Sequence, residues 1–471
     1  MSQAFDLQEI ISNYQLDQTI LREYDIRGII GKTLSTEDAF YIGKAFASYI
    51  ITNTNAKDIV VARDGRLSSP SLSNSLIDGI LSTGANVLDI GVGPTPMLYF
   101  ASNILNSAGA VMITGSHNGA DYNGFKMVIE NKPFFGADIT FLGEMIENNR
   151  LLTGKGKILT SDYDIRSAYL LELLDACLVE YDLTIAWDPA NGATGEIVRE
   201  ICDNSPGKHI IINEKIDGNF PNHHPDPSVE ENLTQIKQVI IKNNCDFGLA
   251  FDGDGDRLVV IDDKGRVVDT ENLISLFAAD ILAKSPGATI IADVKASESL
   301  FEDLTLSGAN AIMWKTGHSF VKSKMAETGA LFAGEMSGHL FFADKYYGFD
   351  DGLYAALRVI ELMANSEFSL SKIIDSMPKR YISKELRIDV AENRKFEVIK
   401  EVKQRLTQMQ IPYNDIDGIR VKNDLGWWLL RASNTQGAIV ARFESYKRED
   451  LVFLKQQLQD QLTLSGIDIV L

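Results

Sequence analysis

Ile59-Val-Val-Ala62, Asn86-Val-Leu-Asp-Ile90 and Ala110-Val-Met-Ile113 are three short β-like runs close together in the chain. Between them, residues 70–83 and 96–105 carry apolar side chains at helical spacing, the first with Pro70 near its start. Short strands alternating with helices indicate a parallel sheet with helices on its faces. The rhythm recurs further on. Residues 183–187, 209–212 and 247–251 suit a second such unit. Residues 258–261, 289–292, 311–314 and 331–333 suit a third, although no residue-level repeat is visible. After about Pro378 the pattern changes. Residues 386–390, 418–421, 427–431 and 438–443 alternate apolar and polar side chains, flanked by helical stretches near 395–408 and 449–462. That is the pattern of an α+β domain with an antiparallel sheet. The expected organisation is therefore α/β: three related units at 1–162, 163–266 and 267–377, then a C-terminal α+β domain at 378–471. A length of 471 residues fits roughly three to four domains.

The formal net charge of −20 argues against nucleic acid and against an anionic membrane surface as partners. It leaves small anionic substrates open, because a cleft can gather cations locally. No apolar run approaches the ~18 residues of a membrane span. The start, Met1-Ser-Gln-Ala-Phe-Asp6, lacks a basic region followed by an apolar core, so no secretory signal is expected. Cys177, Cys202 and Cys245 are odd in number and widely spaced, which suits reduced thiols in a cytoplasmic protein.

Four loops carry chemistry. The run ending at Ile113 leads into Thr114-Gly-Ser116-His117-Asn118 and on to Asp121-Tyr-Asn-Gly-Phe-Lys126. Ligands gather at the carboxyl ends of strands in open α/β sheets. A hydroxyl there can act as a nucleophile or carry a transferable group. Asp252-Gly-Asp254-Gly-Asp256-Arg257 places three carboxylates at alternate positions, which converge on one side of an extended segment. Hard oxygen ligands suit Mg²⁺ or Ca²⁺. An EF-hand fails here, because Arg257 stands where that loop needs glycine and Asp263 where it needs glutamate. Three protein ligands favour Mg²⁺ completed by water or a phosphate oxygen.

Gly334-Glu335-Met-Ser337-Gly-His339 offers Glu335 and Ser337 to vicinal sugar hydroxyls and His339 as a proton carrier near neutral pH. Arg431-Ala-Ser433-Asn434-Thr435 is a fitting set for a phosphate dianion. Further cations stand in Tyr24-Asp-Ile-Arg27-Gly28, Asp293-Val-Lys295 and Lys315-Thr-Gly-His318. His223-His224 suits a rigid loop. Gly91-Val-Gly93-Pro-Thr-Pro96 departs from a dinucleotide fingerprint at Pro96, and Gly31-Lys-Thr33 lacks the first glycine of a P-loop.

With these loops in this order the chain resembles the α-D-phosphohexomutase family over essentially its whole length, especially the bacterial phosphomannomutase/phosphoglucomutase branch. The resemblance implies three related α/β domains with mixed sheets and a smaller C-terminal domain around one central cleft. It implies a phosphoserine at Ser116, and Mg²⁺ held by Asp252, Asp254, Asp256 and the Ser116 phosphate. Arg27, Lys126 and His339 are then catalytic, with His339 or Lys126 carrying the proton. Tyr24, His117, Arg257, Lys295, His318, Glu335, Ser337, Arg431, Ser433, Asn434 and Thr435 bind substrate. The implied reaction shifts phosphate between O1 and O6 of mannose or glucose phosphate through a hexose 1,6-bisphosphate. Met336 after the glutamate, and Ser433-Asn-Thr435, resemble this branch rather than a glucosamine-phosphate mutase. A non-catalytic phosphosugar-binding protein is the alternative of another class. The chain departs from the family at Gly119-Ala120 and Gln436-Gly437, where prolines are usual.

Overall fold

The computed structural model describes residues 14–54, 56–161, 163–378, 381–433 and 437–469. The first sheet holds β1 (Ile26–Ile29), β2 (Asp58–Arg63), β3 (Asn86–Val92), β4 (Gly109–Ile113), β5 (Tyr122–Ile129) and β6 (Lys132–Phe134). The second holds β7 (Thr184–Asp188), β8 (Lys208–Ile211), β9 (Phe247–Phe251) and β10 (Leu258–Asp262). The third holds β11 (Thr289–Asp293), β12 (Asn310–Trp314), β13 (Phe332–Gly334) and β14 (Leu340–Phe342). All three share one order: β3-β2-β4-β5, β8-β7-β9-β10 and β12-β11-β13-β14. In each, the first three strands are mutually parallel and the fourth returns antiparallel to the third.

This shared order decides where the chemistry sits. The turn between the third and fourth strands falls at the same place in every unit. It is residues 114–121 in the first, 252–257 in the second and 335–339 in the third. The run 258–261, grouped by strand rhythm with the third unit although the bound at 266 sets it in the second, pairs with β9 and so belongs to the second sheet. Strand rhythm alone does not reveal that the chain turns back on itself at Asp252.

Every residue of β4 and β9 is buried, as expected of strands covered on both faces. Helix Ser69–Leu81 has proline at its start and packs on helix Thr36–Asn53. Methyl groups at Gly43 and Gly79 would strike the Leu76 and Phe40 carbonyls, so glycine lets these two helices approach closely. One continuous apolar core runs from Val60, Leu98 and Phe100 through Tyr169, Trp187 and Phe251 to Phe277, Phe332 and Leu353. It binds the three units into one body.

The C-terminal sheet is antiparallel throughout. It comprises β15 (Tyr381–Ile382), β16 (Leu386–Asp389), β17 (Ile419–Asn423), β18 (Gly426–Ala432) and β19 (Ala438–Ser445). Helices Glu392–Gln408 and Leu451–Leu464 flank it and complete a separate core. The apolar seam between that domain and the third unit is small, built on Val294, Trp427 and Leu429. Ion pairs of Arg420 and Lys422 with Glu298 and of Arg442 with Glu271 surround it. Arg420 pins the seam, donating to the carbonyls of Val294 at 2.6 Å and Ala296 at 2.8 Å while lying over the Trp427 ring. Among the described residues no helix is long and apolar enough to cross a membrane. The three cysteines are free thiols.

Candidate active site

Ser116 follows β4 with φ of +48°, a left-handed backbone that costs a residue with a Cβ roughly 1–2 kcal/mol. The surrounding structure must enforce it. Arg66, just beyond β2, does so. An arginine has five N–H donors, and here each has a partner. They reach Asp64 at 3.0 Å, the carbonyls of Ser116 and Asn118 at 2.7 Å each, that of Tyr122 at 3.1 Å, and that of Gly119. A Cβ on Gly115 would collide with this guanidinium, which is why the loop needs glycine there. Asp64 also accepts from Thr114 Oγ1 at 2.8 Å, and Thr114 Oγ1 in turn accepts from Ser116 N at 2.8 Å.

Sequence reasoning missed Arg66 and Asp64, yet a signal was present. In the first and third units an aspartate stands at or just after the end of the central strand, with a cation two residues on: Asp64-Gly-Arg66 and Asp293-Val-Lys295. Both aspartates accept from the backbone N–H of that cation at 3.0 Å. Both also accept at 3.3 Å from a backbone N–H in the turn after the third strand, Gly115 in one case and Met336 in the other. Asp188 ends the equivalent strand of the second unit and accepts from Ala190 N, but there no cation follows. A residue-level repeat therefore exists, and it brackets the functional turns.

Asp252, Asp254 and Asp256 are all fully buried. They converge through a tight turn rather than along an extended segment: Gly255 has φ of +75° and donates to both the carbonyl and the carboxylate of Asp252. One carboxylate oxygen from each lies within 4.8 Å of the others, a set able to hold a metal. Lys126 Nζ donates to Asp254 at 2.6 Å and pairs with Asp256. Arg257 Nε stands 3.9 Å from Asp252. Even so, one oxygen on each of Asp254 and Asp256 is buried with no hydrogen-bond partner. Three carboxylates facing two cations, with two acceptors unused, fit a divalent cation held by oxygen. Burial, reinforced by Asp256 and Asp254, pushes the Asp252 carboxyl well above its usual range. Burial alone would lower the Lys126 ammonium, but the three aspartates together hold it above its usual range.

The turns of the first two units meet here. Ser116 Oγ donates to Asp252 Oδ2 at 3.1 Å and lies 3.3 Å from His117 Nδ1. Burial and the cations Arg257, Arg27 and Lys126 push His117 well below the ordinary imidazole range, so it is neutral. Arg27 donates to the Gly115 carbonyl at 3.2 Å and pairs with Asn118 and Asp25. The third unit adds His339, whose Nε2 accepts from Arg257 Nε at 3.0 Å. The His318 ring stacks on His339 at 5.5 Å. Tyr24 donates to the Thr316 carbonyl at 2.8 Å. One cleft is thus lined by Tyr24, Arg27, Ser116, His117, Lys126, Arg257, His318 and His339.

The remaining candidates lie in the third unit and the C-terminal domain. Glu335 accepts from Gly317 N and from Ser337 Oγ, tying the 335–339 turn to the 315–318 loop. Lys295 pairs with Glu385 at 3.2 Å. Arg431 Nε donates to Asp417 at 3.0 Å, and its Nη2 is buried without a partner. Ser433 is buried. Asn434 and Thr435 lie outside the described residues. His223, away from the cleft, stands 3.0 Å from Asp188 and braces its own loop.

Four family models match the chain in order. They are the phosphoglucomutase/phosphomannomutase alpha/beta/alpha domain I at residues 18–149, domain II at 168–265 and domain III at 269–381, and the C-terminal domain at 385–461. The phosphomannomutase/phosphoglucomutase of Pseudomonas aeruginosa is 40% identical over 447 residues, covering 95% of this chain and 96% of that one. The chain belongs to the phosphoglucomutase/phosphomannomutase family. Within it, a phosphoglucomutase of Neisseria gonorrhoeae is 39% identical over 432 residues, covering 91% of this chain and 94% of its own. A crystal structure of a phosphoglucomutase/phosphomannomutase family protein from Burkholderia thailandensis superposes with a TM-score of 0.89 at 36% identity. It covers 96% of this chain and 99% of that one. The family's four-domain α/β plan is the fold described above.

Proposed function

We propose that this family member moves phosphate reversibly between O1 and O6 of a mannose or glucose phosphate, with Ser116 as the carrier and a hexose 1,6-bisphosphate as intermediate. The observation that carries this reading is the Ser116 hydroxyl, forced into a left-handed turn and set 3.1 Å from a buried triad of aspartates. An acyl-transfer nucleophile needs a base at its hydroxyl. Ser116 has instead a carboxylate cluster with ligand capacity to spare. Its neighbour His117 is a weak base, because burial and the nearby cations hold the ring well below the ordinary imidazole range.

Asp252, Asp254 and Asp256 would hold Mg²⁺ together with a phosphate oxygen on Ser116. When bound, that ion offsets the charge of the group in transfer. Arg27 and Lys126 are placed to offset charge beside it. His339 takes the proton of the accepting hydroxyl, once Arg257 yields its hold on Nε2. Glu335 and Ser337 grip sugar hydroxyls. Lys295, Arg431, Ser433, Asn434 and Thr435 hold the substrate's other phosphate, which displaces Asp417 from Arg431. The intermediate turns over in the cleft, and its second phosphate returns to Ser116. A small apolar seam ringed by polar contacts, which exchange with water more readily than packed core, suits a C-terminal unit that shifts as the substrate reorients. Unit boundaries near 162, 266 and 377, and a cytoplasmic location with reduced thiols, belong to the same reading.

The test is to assay mannose, glucose and glucosamine 1-phosphates with Mg²⁺ and a bisphosphate primer, using wild type and Ser116→Ala. Wild type should convert the first two, and the variant should lose transfer while remaining folded. Full activity after complete dephosphorylation, without primer, would rule out the phosphoserine carrier.

A further inference from the structure

Asp350 is fully buried between β14 and the helix Gly352–Ala364, and no sequence motif singled it out. Its backbone bridges to Phe341, two residues beyond His339. Three basic side chains converge on its carboxylate. Lys322 Nζ donates to Oδ1 at 2.7 Å. His339 Nδ1 lies 3.0 Å from Oδ2, and His318 Nδ1 lies 3.8 Å from the same oxygen. Neither His339 Nδ1 nor Asp350 Oδ2 makes an aligned hydrogen bond, and the only other carboxylate oxygen near Nδ1 among the described residues, Asp256 Oδ1, is farther away at 3.5 Å.

The other face of the His339 ring settles its proton. Arg257 Nε can only donate, and it donates to His339 Nε2. Nε2 therefore carries a lone pair, and the proton of the neutral ring sits on Nδ1, opposite Asp350. The 3.0 Å approach is not yet a fully aligned hydrogen bond. Such contacts often tighten only when substrate fills the site. Lys322 keeps Asp350 charged in spite of its burial, so the carboxylate accepts and does not donate.

We propose that Asp350 is a positioning residue that fixes His339 in its Nδ1–H form and aims the Nε2 lone pair at the cleft. This rests on the mutase reading above and adds which nitrogen works and what holds it there. In the first half-reaction the sugar hydroxyl gives its proton to Nε2, and its oxygen forms a bond to phosphorus. The bond from phosphorus to Ser116 Oγ breaks, and Oγ keeps that electron pair. In the second half-reaction Oγ attacks the other phosphate with the same pair. The departing sugar oxygen then recovers the proton from Nε2. Protons and charge balance over the cycle with no further reactant. The arrangement is the one by which an aspartate selects a histidine tautomer in hydrolytic triads, here serving phosphoryl transfer.

Asp350→Asn is the discriminating variant. Its amide can turn a donor toward Nδ1, which favours the opposite tautomer. We expect kcat to fall about 10²–10⁴-fold with KM changed less than about threefold. In a His339→Ala background the same substitution should cost less than about twofold, because a residue acting through His339 has nothing left to act on. Imidazole ¹⁵N spectra of the wild-type protein, assigned with His339→Gln, should show Nδ1 protonated. In Asp350→Asn they should show the proton moved to Nε2. Three results would overturn the proposal: kcat of Asp350→Asn within threefold of wild type, an undiminished cost in the His339→Ala background, or a wild-type Nε2–H signal. A wild-type protein without mutase turnover would sink the functional reading instead, and the ¹⁵N spectra would still decide the tautomer.

Discussion

Replacing Arg66 with lysine tests whether the Ser116 turn is held by one guanidinium. Lysine keeps the charge but has three donors where arginine has five. At least two of the five acceptors at Asp64 and the carbonyls of Ser116, Asn118, Gly119 and Tyr122 must then lose their partner. Each hydrogen bond to a charged group is worth about 1.5–3 kcal/mol, so the loss is about 3 kcal/mol or more. Asp64 itself stays satisfied by Ser69 at 2.6 Å and Thr114 at 2.8 Å, so no stranded carboxylate inflates the figure. The left-handed strain at Ser116 then relaxes the turn away from Asp252. If the whole loss falls on the competent geometry, kcat drops about 10²-fold. KM should move less than about threefold, because Arg66 does not line the cleft. A coupled assay of glucose 1-phosphate conversion measures both constants, and urea titration measures the stability. A kcat within threefold of wild type, with stability within about 1 kcal/mol, would refute the brace.

Chelation should abolish turnover, and adding Mg²⁺ should restore it while raising the unfolding midpoint. At about a hundredfold excess over its dissociation constant an ion bound only to the folded state adds about 2.7 kcal/mol. Full activity in chelator would exclude the aspartate triad as a required ion site. Asp351 gives a pH prediction away from that site. Burial pushes its carboxyl from 3.8 up to about 6, although it caps a helix and accepts from Tyr169 at 2.9 Å and Tyr346 at 2.8 Å. The folded state therefore holds the proton more tightly than the unfolded chain. This contribution is present below about pH 4 and lost as pH rises to about 6, a total of about 3 kcal/mol. Asp351→Asn should remove that slope. A wild-type minus variant difference that is flat from pH 4 to 6 would contradict it.

Much of the fold was legible because each strand is a short apolar run between helical stretches, and burial on both faces writes that pattern directly into the sequence. The C-terminal domain was legible from its change to an alternating pattern, although that alternation does not mark a half-covered sheet. β18 and β19 are buried along nearly their whole length, with Trp428 and Leu430 in the domain's own core and Trp427 and Leu429 against Val294. Leu258–Asp262 was misgrouped because a hairpin and a crossover leave the same local pattern, and only pairing with β9 distinguishes them. In the site, the glycine-rich loops stood out because backbone turned toward a ligand needs unusual residues at fixed spacing. Arg66 and Asp350 did not stand out. An arginine whose partners are carbonyls 50 and more residues away looks like any surface arginine. An aspartate beside a second aspartate looks like a helix cap, which Asp351 is and Asp350 is not.

The sequence by itself determined the alternation of strands and helices, the change of architecture near Pro378, and the presence of a serine turn, a carboxylate triad and two further polar turns. Those are local properties, set by side-chain period and backbone freedom. Tertiary structure decided that three of the turns occupy one equivalent place in three sheets, so that packing the sheets on a common core drives the turns together. It also decided that Ser116 faces Asp252, that one buried arginine holds the Ser116 turn, and that Asp350 stands behind His339. Such contacts join residues that are not neighbours in the chain, and no local pattern encodes a partner that only the packed core brings to 3.0 or 3.1 Å.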